Sequence, residues 1–160
     1  MVTEVSQLPE IESSWVRTYN VDRDGIAESF SVLEVGPLEP RGTIVCVHGN
    51  PTWSFMWRNF VRELSTQWRV IAIDQLGMGF SSRSGKSRTL ATRIEYLDAL
   101  LAAAKVDGPV ILMAHDWGGP VAIGWATQHA ERVEKLVLFN TGTQIPTSGI
   151  PGLIQVSNTP

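Results

Sequence analysis

A short stretch in the last third of the chain sets one acidic side chain where nucleophilic chemistry is possible. Asp116 lies between an apolar run, residues 110–113, and a pair of glycines, Gly118 and Gly119. Ala114 is a second small residue, two positions before the aspartate, so both flanks suit a turn too tight for larger side chains. This small-x-nucleophile-x-Gly pattern is typical of a nucleophile elbow, with Asp at the place that Ser more often holds.

The elbow gives the carboxylate a chemical task. The helix predicted after it, residues 121–130, would aim free N–H groups and the positive end of its dipole at Asp116. A carboxylate is ionised at pH 7, unlike serine, so its attack on a saturated carbon or a strained ring needs no general base. The product would be an ester that activated water must break. The alternative is a simple helix cap, because Asp is a favoured cap residue, but the glycines favour the nucleophile.

A second motif predicts the groups that face Asp116. The sequence HGNPTW, residues 48–53, follows a predicted strand. Because Gly49 allows a sharp turn, the backbone amides of Asn50 and Trp117 could point at one oxygen and form an oxyanion hole. Both side chains are also uncharged N–H donors, which suits them to hold a departing anion. The alternative for Asn50 is a turn residue before proline, and the alternative for Trp117 is plain hydrophobic packing.

None of the three histidines is a persuasive base for breaking the ester. His48 belongs to the turn and is expected to be structural, whereas His115 precedes the aspartate on a strand and points to the opposite side. His129 is expected at the surface near the end of the helix. Asp74 ends another predicted strand, where a carboxylate that braces its loop is favoured over a catalytic acid.

Composition limits the class of protein. The 160 residues are 43% hydrophobic, enough for one globular domain, and the net charge of −3 gives no case for nucleic acid. Cys46 is the only cysteine and lies in an apolar run, so we expect no internal disulfide and a reducing compartment. Residues 1–12 lack the apolar core of a signal peptide, and no apolar stretch is long enough for a membrane span. The predicted location is cytoplasmic, with no metal and no cofactor.

Strands and helices alternate along the chain. The predicted strands are residues 15–21, 29–35, 43–47, 69–73, 110–114 and 133–139, and the first two form a hairpin at the sheet edge. The predicted helices are residues 56–64, 90–105 and 121–130. This α/β order implies a mostly parallel sheet with helices on both faces.

The motifs resemble those of the haloalkane dehalogenase branch of the α/β-hydrolases. The resemblance rests on residues 48–53 with Pro51, on the D-x-x-G-x-G-x-S of residues 74–81, and on the HDWGGP of residues 115–120. It covers nearly the whole chain and implies an α/β-hydrolase fold. It also implies that Asp116 is the nucleophile and that the residues at positions 50 and 117 bind the leaving anion.

The resemblance extends to a subgroup of that branch. One subgroup has a catalytic Glu about where Asn140 stands, so this departure implies an acid, and a histidine base, beyond Pro160. The subgroup with a late acid is similar to the β-lactone decarboxylases of bacterial long-chain olefin biosynthesis. That similarity implies attack by Asp116 on a cis-β-lactone, loss of carbon dioxide and release of an alkene. It also implies fusion to, or a complex with, a lactone synthetase.

The family fold includes a helical cap and further strands. Residues 1–140 are therefore expected to be the N-terminal part of the core, truncated before the cap and the C-terminal strands. Residues 141–160, which are rich in Gly and Pro, are expected to connect to the cap. The 160 residues alone are expected to be poorly soluble or expanded, because missing strands would leave an open apolar edge.

Other functions stay open. An epoxide hydrolase shares the elbow, but it needs ring-activating tyrosines from the cap, and the only tyrosines, Tyr19 and Tyr96, are not placed to serve. A catalytically incomplete fragment that binds a partner or nothing is a third interpretation. In each enzyme the substrate would be a small apolar molecule: a haloalkane, a β-lactone or an epoxide.

Overall fold

The computed structural model describes residues 7–23, 25–85 and 88–142. The strands in these residues are β1 (Val16–Arg23), β2 (Ile26–Val35), β3 (Thr43–Val47), β4 (Arg69–Ile73), β5 (Val110–His115) and β6 (Val133–Phe139). The α-helices are α1 (Arg58–Leu64), α2 (Leu90–Ala103) and α3 (Gly118–Gln128). Each strand and each helix lies at or near its predicted place in the sequence.

The described strands form one sheet in the order β1-β2-β4-β3-β5-β6. The β1–β2 hairpin and the β2–β4 pair are antiparallel, whereas β4, β3, β5 and β6 run parallel to one another. The predicted α/β class, with an edge hairpin on a mostly parallel sheet, is therefore confirmed. The chain leaves β3 for β4 on one side and returns to β5 on the other. This change of direction opens a crevice at the carboxyl ends of β3 and β5, where open α/β sheets bind ligands.

Helices cover both faces of the sheet, as predicted. Along β3, Val45 and Val47 pack in the core under α2 and α3, and Ile44 and Cys46 pack in the core under α1. This alternation explains why the central strand is apolar at successive positions, since both of its faces are buried. Burial raises the pKa of the Cys46 thiol, which keeps it protonated and unreactive.

Several element boundaries differ from the prediction by one to three residues. Helix α3 begins at Gly118 rather than at residue 121, because the chain packs backbone to backbone there: a Cβ on Gly118 would lie 2.2 Å from the Val47 carbonyl oxygen. The predicted helix 56–64 is divided into a 3₁₀ turn, Ser54–Trp57, and α1. Strand β2 begins at Ile26 because the ladder continues to the pairing of Arg23 with Ile26.

Strand β6 is the second edge of the described sheet. Leu136, Val137 and Leu138 are each more than a third exposed on it. Of the predicted connection, residues 141–160, only Thr141 and Gly142 are among the described residues, so its path stays a prediction. No helix in the described parts of the chain has both the length and the apolar character needed to cross a membrane.

Candidate active site

Asp116 occupies the turn that joins β5 to α3. Its φ of +51° lies in the left-handed region, which few residues other than glycine adopt. Its amide donates to the Phe139 carbonyl at 3.4 Å, and its own carbonyl accepts from the Gly119 amide at 3.0 Å. The strand therefore ends and the helix begins within two residues, as the flanking small residues predicted.

The turn after β3 reaches the Asp116 carboxylate. The backbone N–H of Asn50 donates to Asp116 Oδ1 at 2.8 Å. A Cβ on Gly49 would lie 2.3 Å from both Cβ and Oδ1 of Asp116, so only glycine permits this approach. The Asn50 amide thus points at Asp116, whereas no hydrogen bond from the Trp117 amide to this carboxylate is found among the described residues, so the oxyanion hole of two amides stays a prediction. A backbone donor on a carboxylate oxygen stabilises its negative charge.

The same turn is held in place by His48, which is fully buried. Its Nε2 accepts from the Gln75 backbone N–H at 2.9 Å, and the Gln75 side chain donates to the His48 carbonyl at 2.5 Å. Because Nε2 accepts, the ring proton is on Nδ1, which donates to the Gly49 carbonyl at 2.6 Å. Burial lowers the pKa of His48 to about 4. His48 is thus neutral at pH 7 and structural, as predicted.

Asp74 braces the loop after β4. It is fully buried, and its two carboxylate oxygens accept from the backbone amides of Ser54, at 2.7 Å, and Phe80, at 2.8 Å. Burial raises the pKa of Asp74, while those two hydrogen bonds oppose the rise. A Cβ on Gly79 would lie 2.2 Å from Asp74 Oδ2. The prediction of a structural carboxylate is confirmed.

Neither of the other two histidines is hydrogen-bonded to the Asp116 carboxylate among the described residues. The His115 ring has a buried Nδ1 with no hydrogen-bond partner among the described residues. His129 ends α3, stacks on Trp125 with ring centroids 4.6 Å apart, and places Nε2 3.2 Å from Asp98 Oδ1. Within the described ranges, no histidine nitrogen is hydrogen-bonded to the Asp116 carboxylate.

The remaining predicted site residues lie on the two loops that meet at Asp116. Trp117 is half-buried at the start of α3, and the Asn50–Pro51 peptide bond is cis. Thr52 closes the β3 turn, since its amide donates to the Gly49 carbonyl at 3.3 Å and its hydroxyl donates there at 3.0 Å. The structure thus gathers the motifs of residues 48–53 and 115–120 at one crevice.

Sequence reasoning missed one residue of this region. The Thr141 hydroxyl donates to the Asp116 carbonyl at 2.5 Å. A Cβ on Gly119 would lie 1.9 Å from the same hydroxyl oxygen. The sequence signal for this contact was Gly119, because a glycine at this position indicates that another group packs closely against the backbone. It does not indicate which residue that group belongs to.

Comparison with known proteins gives the same fold. A family model described as alpha/beta hydrolase fold matches residues 42–154. A cis-3-alkyl-4-alkyloxetan-2-one decarboxylase of Xanthomonas campestris is 39% identical over 127 residues, which cover 74% of this chain and 41% of the relative. A haloalkane dehalogenase of Sphingobium indicum is 40% identical over 104 residues, covering 62% of this chain and 35% of the relative. The chain thus spans about two fifths or less of these curated relatives.

Solved structures agree. The haloalkane dehalogenase DatA of Agrobacterium tumefaciens superposes with a TM-score of 0.68 at 31% identity, covering 79% of this chain and 41% of that one. A putative ancestral haloalkane dehalogenase superposes with a TM-score of 0.75 at 25% identity, covering 88% of this chain and 48% of that one. With its sheet order, its strand-to-helix turn at Asp116 and the family match over most of its length, the chain belongs to the α/β-hydrolase fold family.

Proposed function

We propose that the protein is an enzyme in which the Asp116 carboxylate attacks carbon and forms a covalent ester. One observation carries the proposal: Oδ1 of Asp116 accepts the Asn50 backbone N–H at 2.8 Å, whereas Oδ2 accepts no hydrogen bond from the described residues. A carboxylate with one oxygen held and the other uncommitted is oriented for attack through Oδ2. In a helix cap, by contrast, the carboxylate oxygens accept hydrogen bonds from the first amides of the helix. Among the described residues, the Asp116 carboxylate accepts no hydrogen bond from an amide of α3.

The preferred substrate class is a cis-β-lactone with two alkyl substituents. The support is the decarboxylase relative, whose name describes such a lactone, at 39% identity. Attack of Oδ2 on the saturated, alkyl-bearing ring carbon bonded to the ring oxygen forms the ester and breaks that carbon's bond to the ring oxygen. The electron pair of the broken bond stays on the ring oxygen, which becomes part of a carboxylate. Cleavage of the bond to that carboxylate then releases carbon dioxide, forms the alkene and expels Asp116 as its anion. No water is consumed.

The second candidate substrate is a haloalkane, supported by the dehalogenase relative at 40% identity. Oδ2 would displace the halide, which leaves with its electron pair, and the side-chain N–H groups of Asn50 and Trp117 would bind it. Water must then add to the ester to release the alcohol. That step needs a general base, so the two substrates differ in what they require of the rest of the protein.

Product analysis of the complete purified protein distinguishes the candidates. We expect alkene and carbon dioxide from a cis-3,4-dialkyl-β-lactone, with little halide release from 1-halohexanes. Halide release alone would favour the dehalogenase, and formation of a diol from an epoxide would favour an epoxide hydrolase instead. Asp116→Ala is the control, because it should abolish the ester adduct detected by intact mass.

The domain organisation is part of the proposal. Residues 1–140 would form part of the hydrolase core, and residues 141–160 would lead to a cap that shapes the substrate pocket. The greater length of the matched relatives supports this organisation. The intact mass of the protein in its native cell tests it: we expect about twice the 17.6 kDa of these 160 residues for a core with its cap, and a much larger value would favour fusion to a lactone synthetase.

A further inference from the structure

The backbone of the proposed nucleophile is held by a side chain from another part of the fold. Thr141, just beyond the end of β6, is half-buried and donates its hydroxyl to the Asp116 carbonyl at 2.5 Å. The Gly119 amide donates to the same oxygen at 3.0 Å. Gly119 has no side chain, and the Thr141 hydroxyl fills the space where a Cβ would otherwise lie. The carbonyl therefore has two donors, one local and one from the neighbouring strand end.

Fixing this carbonyl also fixes the next amide. The peptide bond between Asp116 and Trp117 is trans, so its N–H points away from its carbonyl oxygen. Thr141 holds the carbonyl on one side, so the Trp117 N–H points to the opposite side of this peptide. Among the described residues it makes no hydrogen bond to the Asp116 carboxylate, whose donor is the Asn50 N–H. This peptide follows a residue with a φ of +51°, a conformation that costs about 1–2 kcal/mol and relaxes when contacts are lost.

We propose that Thr141 is a positioning residue, which holds the peptide between Asp116 and Trp117 so that the Trp117 N–H can join the Asn50 N–H as a donor to the Asp116 carboxylate when ester breakdown restores its charge. The inference rests on the proposed function of Asp116. Attack removes negative charge from the carboxylate, and breakdown of the ester restores it. Donors aimed at those oxygens therefore accelerate ester breakdown more than ester formation. This holds for a lactone, where Asp116 is expelled, and for a haloalkane, where water adds to the ester.

The test compares Thr141→Val, which removes the hydroxyl at nearly constant shape, with Thr141→Ser, which keeps it. Both are made in the complete protein and assayed on the substrate that the wild type turns over. For Thr141→Val we expect kcat to fall about tenfold, the effect of one lost hydrogen bond, and KM to fall with it. The ratio kcat/KM then changes by less than about threefold, and ester adduct accumulates in the intact-mass spectrum. Thr141→Ser should keep kcat within about twofold of the wild type.

A purely structural role predicts a different pattern. Loss of folded protein lowers kcat and kcat/KM equally and leaves KM and the adduct level unchanged. That pattern, wild-type kinetics in Thr141→Val, or equal impairment of the Val and Ser variants would each overturn the inference. If Thr141→Val does not fold, as judged by circular dichroism, Thr141→Ala takes its place under the same criteria.

Asp116→Ala separates the inference from the function on which it rests. If Asp116→Ala still forms product, the proposed nucleophile is wrong, and the role of Thr141 falls with it. If Asp116→Ala is inactive while Thr141→Val behaves as the wild type, only the inference about Thr141 is wrong.

Discussion

Two aspartates stand at the carboxyl ends of β4 and β5, the strands on either side of β3, and differ in burial and in hydrogen bonding. Asp74 ends β4 and is fully buried, with both oxygens bonded to the backbone amides of Ser54 and Phe80. Asp116 ends β5 and is partly exposed, with one oxygen bonded to the Asn50 amide. Each also packs against a glycine that leaves no room for a Cβ. Residue type and strand position are shared, so the environment alone separates a structural carboxylate from a candidate nucleophile.

The comparison shows how saturation with hydrogen bonds limits reactivity. A carboxylate that accepts two buried backbone donors cannot turn toward a substrate without leaving those donors unpaired, which costs about 1–3 kcal/mol for each. Asp74 is therefore committed to its loop. In the part of the chain that the structure describes, Asp116 has Oδ1 held by the Asn50 amide, while Oδ2 accepts no hydrogen bond.

Removing the carboxylate of Asp116 should give the largest change. We expect Asp116→Ala to lower kcat at least about 10⁴-fold, since it removes the group that forms the bond to carbon. Urea-induced unfolding should show a free energy of unfolding lowered by only about 1–2 kcal/mol, the loss of one hydrogen bond at a position whose left-handed φ alanine does not relieve. Activity that survives this substitution would end the contrast between the two aspartates.

Removing the carboxylate of Asp74 should have the opposite profile. Asp74→Ala leaves the Ser54 and Phe80 amides buried without acceptors, so we expect the free energy of unfolding to fall by about 3 kcal/mol. Equilibrium urea unfolding measures this loss. Asp74→Asn, which retains one acceptor oxygen, is the matched control and should lose less. A stable Asp74→Ala with a large loss of kcat would instead assign Asp74 to the chemistry.

The two glycines offer a paired test at constant added volume. Gly49→Ala places a Cβ against the Asp116 carboxylate, and we expect kcat to fall about 100-fold because the nucleophile is displaced. Gly79→Ala places a Cβ against Asp74 at a φ of +53°, and we expect a loss of about 2 kcal/mol of stability. Measuring kcat and urea unfolding for both variants checks the pair. If the two variants lost kcat and free energy of unfolding to the same extent, the distinction between a reactive Asp116 and a structural Asp74 would be wrong.

The smallest expected effect is a pH dependence from His48. Its pKa is about 4 in the folded protein against an ordinary 6.5, so the unfolded chain binds the extra proton between these values. Stability from His48 is present above pH 6.5 and is lost as the pH falls toward 4. Between pH 7 and pH 4.5 we expect a loss of about 2 kcal/mol.

His48→Gln provides the reference for that measurement. It lacks the titrating ring, so the difference between its pH profile of urea unfolding and that of the wild type isolates the contribution of His48. The subtraction matters because Asp74 acts in the opposite direction: its raised pKa makes stability fall as the pH rises above 3.8. Parallel profiles for the two proteins would contradict the buried neutral histidine.

Much of the site could be predicted because its signals are local. Small residues around Asp116 marked a tight turn between a strand and a helix, and Gly49 marked a sharp turn beside it. Alternating apolar runs predicted the strands, since strands buried on both faces need such runs. The structural roles of His48 and Asp74 also followed from their places at strand ends.

The features that escaped prediction depend on tertiary contacts. The partners Thr141 and Asp116 are 25 positions apart, and no local pattern specifies a threonine hydroxyl over a distant carbonyl. The Ser54–Trp57 segment forms a 3₁₀ turn that includes residues 56 and 57, where the sequence indicated the start of an α-helix. The Ser54 amide at the start of this turn is bonded to Asp74, 20 positions away. Local periodicity cannot report a bond of that kind.

Strands β4 and β5 lie on opposite sides of β3, so the two halves of the crevice are synthesised at different times. Asn50 and the carboxylate that it binds are 66 positions apart, with β4 and α2 between them. At about 5–20 residues per second, a ribosome needs several seconds to make the intervening chain. During that interval the turn after β3 has been synthesised but Asp116 has not, and β3 cannot yet pair with β5. Catalytic competence would therefore report the pairing of β3 with β5, a late and non-local event in the formation of this fold.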